Sequence, residues 1–220
     1  MQLVQISSLF NTYAGAPSGR HSSAEANSFP LDAEMATIGI SNFKKDGSWA
    51  LDHVHMKPPS RGKDADRFRI EKYDILLPTI GSLLRDENSP LAFLVDESFL
   101  KNFEANEPIG VDRYVLLLRL NDLHSTEADE LRRDVCTLVK HFINLPATRC
   151  LIQESCCRGS IQPILSKKEF LNLKIPNFFK LNPESRQNLL GLFETRKQIH
   201  ALAQSVESKI DDFIESITAQ

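Results

Sequence analysis

The sequence has no apolar run of the roughly 20 residues that a membrane-spanning helix needs. Its opening residues, Met1-Gln2-Leu3-Val4-Gln5, lack the basic stretch and long apolar core of a secretory signal peptide, so a cytoplasmic location is expected. There is no P-loop and no G-x-G-x-x-G fingerprint, which removes the usual signatures of nucleotide binding. A G-x-S-x-G nucleophile elbow and an H-E-x-x-H pair are missing too. Cysteine is scarce: Cys136, Cys150, Cys156 and Cys157, with no C-x-x-C pair among them. That spacing fits neither a zinc site nor a dithiol motif, and free, mostly buried thiols are expected. His53 and His55 place two imidazoles on one side of an extended segment, but with only Asp52 beside them the ligand set falls short of a metal site. Asp64/Asp66 and Asp211/Asp212 lie in polar surroundings that call for no general acid or base. A dominant charge is also lacking, since the formal net charge is -3 over 220 residues. Such a balance argues against non-specific coating of nucleic acid and leaves room for a local basic stripe.

What remains is an ordinary globular composition, 41% hydrophobic and 25% charged, with length for one large or two small domains. Leu3-Val4-Gln5-Ile6 reads as a short strand and Ser7-Ser8-Leu9-Phe10 as a turn or short helix. Residues 12–28 are rich in Gly, Ala and Ser and read as a loop carrying Arg20. Residues 35–40 read as a strand, and Asp46-Gly47 beside Lys44 and Lys45 marks a hairpin turn. The run Ile75-Leu76-Leu77-Pro78 reads as a buried strand whose proline places it at an edge or a bulge. Residues 91–95 and 111–120 are further strand candidates. Residues 127–143 read as a helix with Leu131, Val135, Leu138, Val139 and Phe142 on one face and Pro146 beyond its end. Residues 161–165 and 173–176 are the last strand candidates. The expected fold class is α+β: a domain over 1–181 with a mixed or antiparallel sheet and short helices, then one long helix over 182–220.

That helix carries the clearest periodicity. Asn182 suits an N-cap and Pro183 a first helical residue. Leu189, Leu192, Arg196, Ile199, Ala203, Val206, Ile210, Phe213 and Ile217 recur at alternating steps of three and four. The mean step is the 3.5-residue heptad period, which makes a narrow seam suited to one partner helix. The same stripe also fits a helix packed on its own domain.

The second feature is residues 53–72, with six basic residues (Lys57, Arg61, Lys63, Arg67, Arg69 and Lys72) against Asp64, Asp66 and Glu71, a formal +3. It reads as an exposed basic loop that enters a strand at 67–70. A solvated loop has the same composition.

The order of motifs resembles one half of a type I restriction–modification specificity subunit: one target-recognition domain and one conserved helix. Arg158-Gly159-Ser160-Ile161-Gln162-Pro163-Ile164 is similar to that family's glycine-led strand, and Phe170-Leu171-Asn172-Leu173-Lys174-Ile175-Pro176 to its L-x-x-L-x-I-P closing strand. Pro183-Glu184-Ser185-Arg186-Gln187 resembles the start of its conserved helix. Ile6 to Gly15, then Thr37 to Phe43 with Gly47, follow its opening segments. Lys72-Tyr73-Asp74-Ile75-Leu76-Leu77 with Gly81 follows a G-D-hydrophobic strand, with Tyr73 where Gly is common. The departures are the single domain and helix, Asn177-Phe178-Phe179 in place of a second proline, and Asn188-Leu189 at the helix start.

The resemblance implies a non-catalytic subunit that binds double-stranded DNA, reads one half-site per chain and docks a DNA methyltransferase subunit. That partner, not this chain, would carry S-adenosylmethionine, and a restriction subunit is admitted as a further partner. The candidate DNA contacts are Arg20, Lys44, Lys45, Lys57, Arg61, Lys63, Arg67 and Arg69, because Arg and Lys supply phosphate contacts and Arg reads guanine. The candidate dimer seam is Leu192, Ile199, Ala203, Val206, Ile210, Phe213 and Ile217, pairing two copies. Two half-sites related by a two-fold axis make an interrupted palindrome. A helix over 183–217 is on the order of 50 Å long, and at 3.4 Å per step that caps the gap at about fifteen base pairs. An alternative is an interaction protein that keeps the recognition fold and pairs with another specificity subunit without reading DNA.

Overall fold

A computed structural model describes residues 2–14, 35–52, 54–57, 69–103, 109–159 and 161–218. The chain divides into two units, Met1–Phe179 and Lys180–Gln220.

The first unit opens with β1 (Leu3–Gln5), the single turn α1 (Ile6–Leu9) and β2 (Phe10–Ala14). Then come β3 (Met35–Ile38), β4 (His55–Lys57), β5 (Ile75–Pro78), β6 (Phe93–Leu94) and α2 (Glu97–Leu100). The chain continues through β7 (Ile109–Val111), β8 (Val115–Leu120), α3 (Asp122–Ser125), α4 (Asp129–Ile143) and α5 (Pro146–Cys156). It ends with β9 (Cys157–Arg158), β10 (Ile164–Leu165), α6 (Lys167–Asn172) and β11 (Lys174–Pro176).

Two sheets organise this unit. The four-stranded sheet runs β2-β8-β5-β6, antiparallel throughout. The three-stranded sheet runs β4-β3-β7, with β3 antiparallel to β4 and parallel to β7. The class is therefore α+β with mixed pairing. β5 is buried at all four positions, and β8 at five of its six. Both strands are nearly continuous apolar runs, as strands covered on both faces must be. Pro78 is tolerated because of where it sits. Thr79 N–H donates to Tyr114 O on the β8 side, so the proline nitrogen faces the other way, beyond the short ladder that β6 makes with Ile75 and Leu76. Phe43, Trp49, Phe93, Phe99 and Phe103 form a chain of ring contacts over one part of the core, with centroids 4.6–5.3 Å apart. Among the described residues no helix is long and apolar enough to cross a membrane.

Several expectations need correction. Residues 12–14 belong to β2 rather than to the loop expected from 12 onward. The single run expected at 111–120 is two strands in different sheets. Asp112 Oδ1 accepts from Arg113 N–H and Asp112 O from Val115 N–H, and this turn carries the chain from β7 to β8. Residues 55–57, read as part of a loop, form β4. Pro146, read as lying beyond a helix, starts the next one, α5, where its missing N–H costs nothing. Residues 170–172 of the expected closing strand lie in α6, and only Lys174–Pro176 pairs, with β1.

The second unit is α7 (Pro183–Thr218). Asn182 Oδ1 accepts from Ser185 N–H at 2.7 Å, the bond of a side-chain N-cap. Leu192, Ile199, Leu202, Val206 and Ile210 are each at least half exposed.

Candidate nucleic-acid interface

The three-stranded sheet fixes both ends of the basic segment. Lys57 closes β4 opposite Met35. Arg69 makes a bridge with Gly110 of β7, and Ile70 N–H donates to Ile109 O at 2.7 Å. Lys57 and Arg69 thus stand at opposite edges of one sheet, three strand spacings or roughly 14 Å apart. Arg61, Lys63 and Arg67 between them, and Arg20, lie outside the described residues, as does His53.

Beyond Arg69 the chain is held by a buried ion-pair cluster. Asp74, 2% exposed, takes Arg119 as a two-pronged partner: Nε to Oδ1 at 3.0 Å and Nη2 to Oδ2 at 2.8 Å. Oδ2 also accepts from Glu71 N–H at 2.7 Å. Burial pushes the Asp74 carboxyl up to about 6, and the bonds from Arg119 oppose that rise. Arg119 further reaches Glu71 Oε1 at 2.7 Å and donates to the main-chain oxygen of Arg69.

Tyr73 is the one non-glycine residue with positive φ among the described residues, at 73°. Its N–H donates to Val95 O and its hydroxyl to Asp129 Oδ2 at 2.6 Å. Burial, then the bond to Asp129, raises the phenol above its ordinary value, so it stays a donor at neutral pH. Lys72 is held by Glu97 at 2.8 Å and Asp129 at 3.4 Å, and the Glu97 bond raises its ammonium above its usual range.

Lys44 and Lys45 project from a separate, well-tied turn. Gly47 takes φ 87°, a left-handed conformation that favours glycine. Ser48 donates from both N–H and Oγ to Asp46 Oδ1, and these bonds lower the Asp46 carboxyl. Asn42, buried, accepts from Gly39 N–H and donates to Ala50 O across the turn's base. Lys45 Nζ lies 3.9 Å from Asp86, and both lysines are exposed.

Of the candidate cations, then, Lys57 and Arg69 share a sheet, while Lys44 and Lys45 share a turn. Along α7, Leu192, Ile199, Ala203, Val206 and Ile210 are exposed; the side chains of Phe213 and Ile217 lie outside the described set. The cluster missed from sequence is Arg119 with Asp74. A lone arginine inside Val115-Leu116-Leu117-Leu118-Arg119-Leu120 was the available signal, since a buried charge demands a partner.

Nucleophile chemistry is disfavoured at the cysteines. All four thiols are raised above their ordinary value: by burial at Cys136, Cys156 (to about 11) and Cys157, and by Glu154 at Cys150. Among the described residues no group of three His, Cys, Asp or Glu could hold a metal ion.

No protein-family model matches the sequence, and no curated protein matches it. Solved structures do match. A chain from a structure of type I R-M system assembly is 11% identical with a TM-score of 0.53, over 98% of this chain and 43% of that one. The type IIG restriction endonuclease BpuSI is 11% identical with a TM-score of 0.51, over 87% of this chain and 26% of that one. The type I restriction–modification S subunit from M. genitalium is 16% identical with a TM-score of 0.45, over 94% of this chain and 41% of that one. This chain spans less than half the length of each. At these identities the likeness is one of fold.

Proposed function

We propose that this chain, which has the fold of type I restriction–modification specificity subunits, is a DNA-recognition subunit without catalytic chemistry of its own. Residues 1–181 serve as the target-recognition domain, and residues 182–220 as spacer and pairing helix. The observation that carries this reading is the anchoring of both ends of the basic segment on one sheet. A flexible charged loop would lose conformational entropy on binding, and fixing its ends removes part of that cost. Phosphate contacts fall to Lys44, Lys45, Lys57, Arg61, Lys63, Arg67, Arg69 and Arg20.

On this reading one chain reads one half-site, and two chains pair through Leu192, Ile199, Ala203, Val206, Ile210, Phe213 and Ile217. A methyltransferase subunit docks alongside and supplies S-adenosylmethionine and the methyl transfer. The net charge of -3 favours a second reading, in which the chain pairs with another specificity subunit and does not touch DNA.

Salt titration separates the two. The fluorescence anisotropy of a labelled duplex, measured with the full chain, is expected to show log affinity falling linearly with log salt, by about 0.9 for each phosphate neutralised. Absence of duplex binding even at low salt overturns the DNA reading in favour of the pairing protein.

A further inference from the structure

We propose that Arg119 is the positioning residue of this interface: held by buried Asp74, its guanidinium grips the main-chain oxygen of Arg69 and the carboxylate of Glu71, fixing the end of the basic segment. This rests on the DNA reading above.

Arg119 stands on β8, an inner strand of the four-stranded sheet, with its side chain only 18% exposed. Arg69 is bound from its other side to β7 of the three-stranded sheet. The guanidinium thus ties the four-stranded sheet to the strand-edge residue Arg69 of the three-stranded one. The fork to Asp74 leaves further guanidinium donors to be satisfied, and these reach residues 69 and 71, so one planar group sets three points along six residues of chain.

Arg119 acts on DNA through Arg69 and does not itself touch it.

The test is a double-mutant cycle on the full chain with a labelled duplex over a range of salt. Arg69→Ala is expected to make the salt slope shallower by about 0.9 and to weaken binding about eightfold at 0.1 M salt, the loss of one phosphate contact. Arg119→Met is expected to do at least as much, and adding Arg69→Ala to it is expected to change nothing further. Arg119→Lys keeps the charge but cannot form the two-pronged grip, and is expected to bind as weakly as Arg119→Met. Additive losses overturn the inference, as does a normal Arg119→Lys or an Arg69→Ala that binds like the wild type. Circular dichroism checks each fold, and if Arg119→Met fails to fold, Arg119→Lys carries the same cycle. A wild-type chain that binds no duplex defeats the DNA reading itself, a result distinct from additivity.

Discussion

Tyr73 pays a backbone cost that stability measurements can read directly. It holds φ at 73°, which costs an L-residue roughly 1–2 kcal/mol and glycine almost nothing. The tyrosine withstands that cost because its ring is buried, at 6% exposure, and its hydroxyl reaches Asp129. Replacing it with alanine removes the ring and keeps the strain; replacing it with glycine removes both. Loss of a buried aromatic costs on the order of 3–5 kcal/mol in either case. The difference between the two variants therefore isolates the backbone. Glycine normally ranks below alanine by about 0.5–1 kcal/mol because its unfolded chain has more freedom. At residue 73 the order is expected to invert, with Tyr73→Gly more stable than Tyr73→Ala by about 1 kcal/mol. In a protein of this size that is a difference of roughly 2–4 °C in melting temperature. Urea unfolding of both variants with matched slopes gives the same quantity. Tyr73→Phe, which loses the hydroxyl and its bond to Asp129, is expected to fall about 1–2 kcal/mol below the wild type. An alanine variant as stable as the glycine variant refutes a left-handed residue 73.

Other consequences are equally concrete. Because burial raises the Asp74 carboxyl from 3.8 to about 6, the folded chain binds that proton more tightly than the unfolded one. Its stabilising contribution is complete below about pH 3.8 and is lost as pH rises through about 6. Between about pH 5 and about pH 8 the wild type is expected to lose about 1 kcal/mol relative to Asp74→Asn, read as the difference between their urea midpoints at each pH. Contributions from Asp46, Asp86, Glu97 and Asp129, all lowered, run the opposite way and cancel in that difference. Asn182→Ala removes the cap of α7 and is expected to destabilise its first turn by about 1 kcal/mol, seen as roughly fivefold faster amide exchange at Ser185. Replacing Ile210 and Phe213 with glutamate is expected to leave the first unit folded and to turn a dimer into a monomer by sedimentation; pairing that survives removes α7 as the seam.

Periodicity carried the parts of the fold that repeat. The apolar face of α4 and the heptad stripe of α7 are visible because each spans several turns, and the cap at Asn182 is a local signal. Punctuation was harder to read. Pro146 fits the end of one helix and the first turn of the next equally well, and the fold uses it as the second. Ser166 and Glu169 stand at the S-x-x-E spacing that marks a helix start, and Ser166 Oγ does donate to Glu169; the strand-like pattern of residues 170–176 directly after it masks that local signal. The apolar run through residue 120 concealed a change of sheet, because apolar composition does not reveal which neighbour a strand takes. Among the candidate contacts, single cations are legible as charges, whereas the grip of Arg119 spans 45 positions to Asp74 and 50 to Arg69 and follows from strand order alone.

Recognition of DNA by sequence is tested by selecting bound duplexes from a random library, using the full chain together with a methyltransferase partner. The expected result is one enriched motif of two half-sites related by a two-fold axis and separated by a fixed gap no longer than about fifteen base pairs. A bound pool as random as the input rules out recognition by sequence.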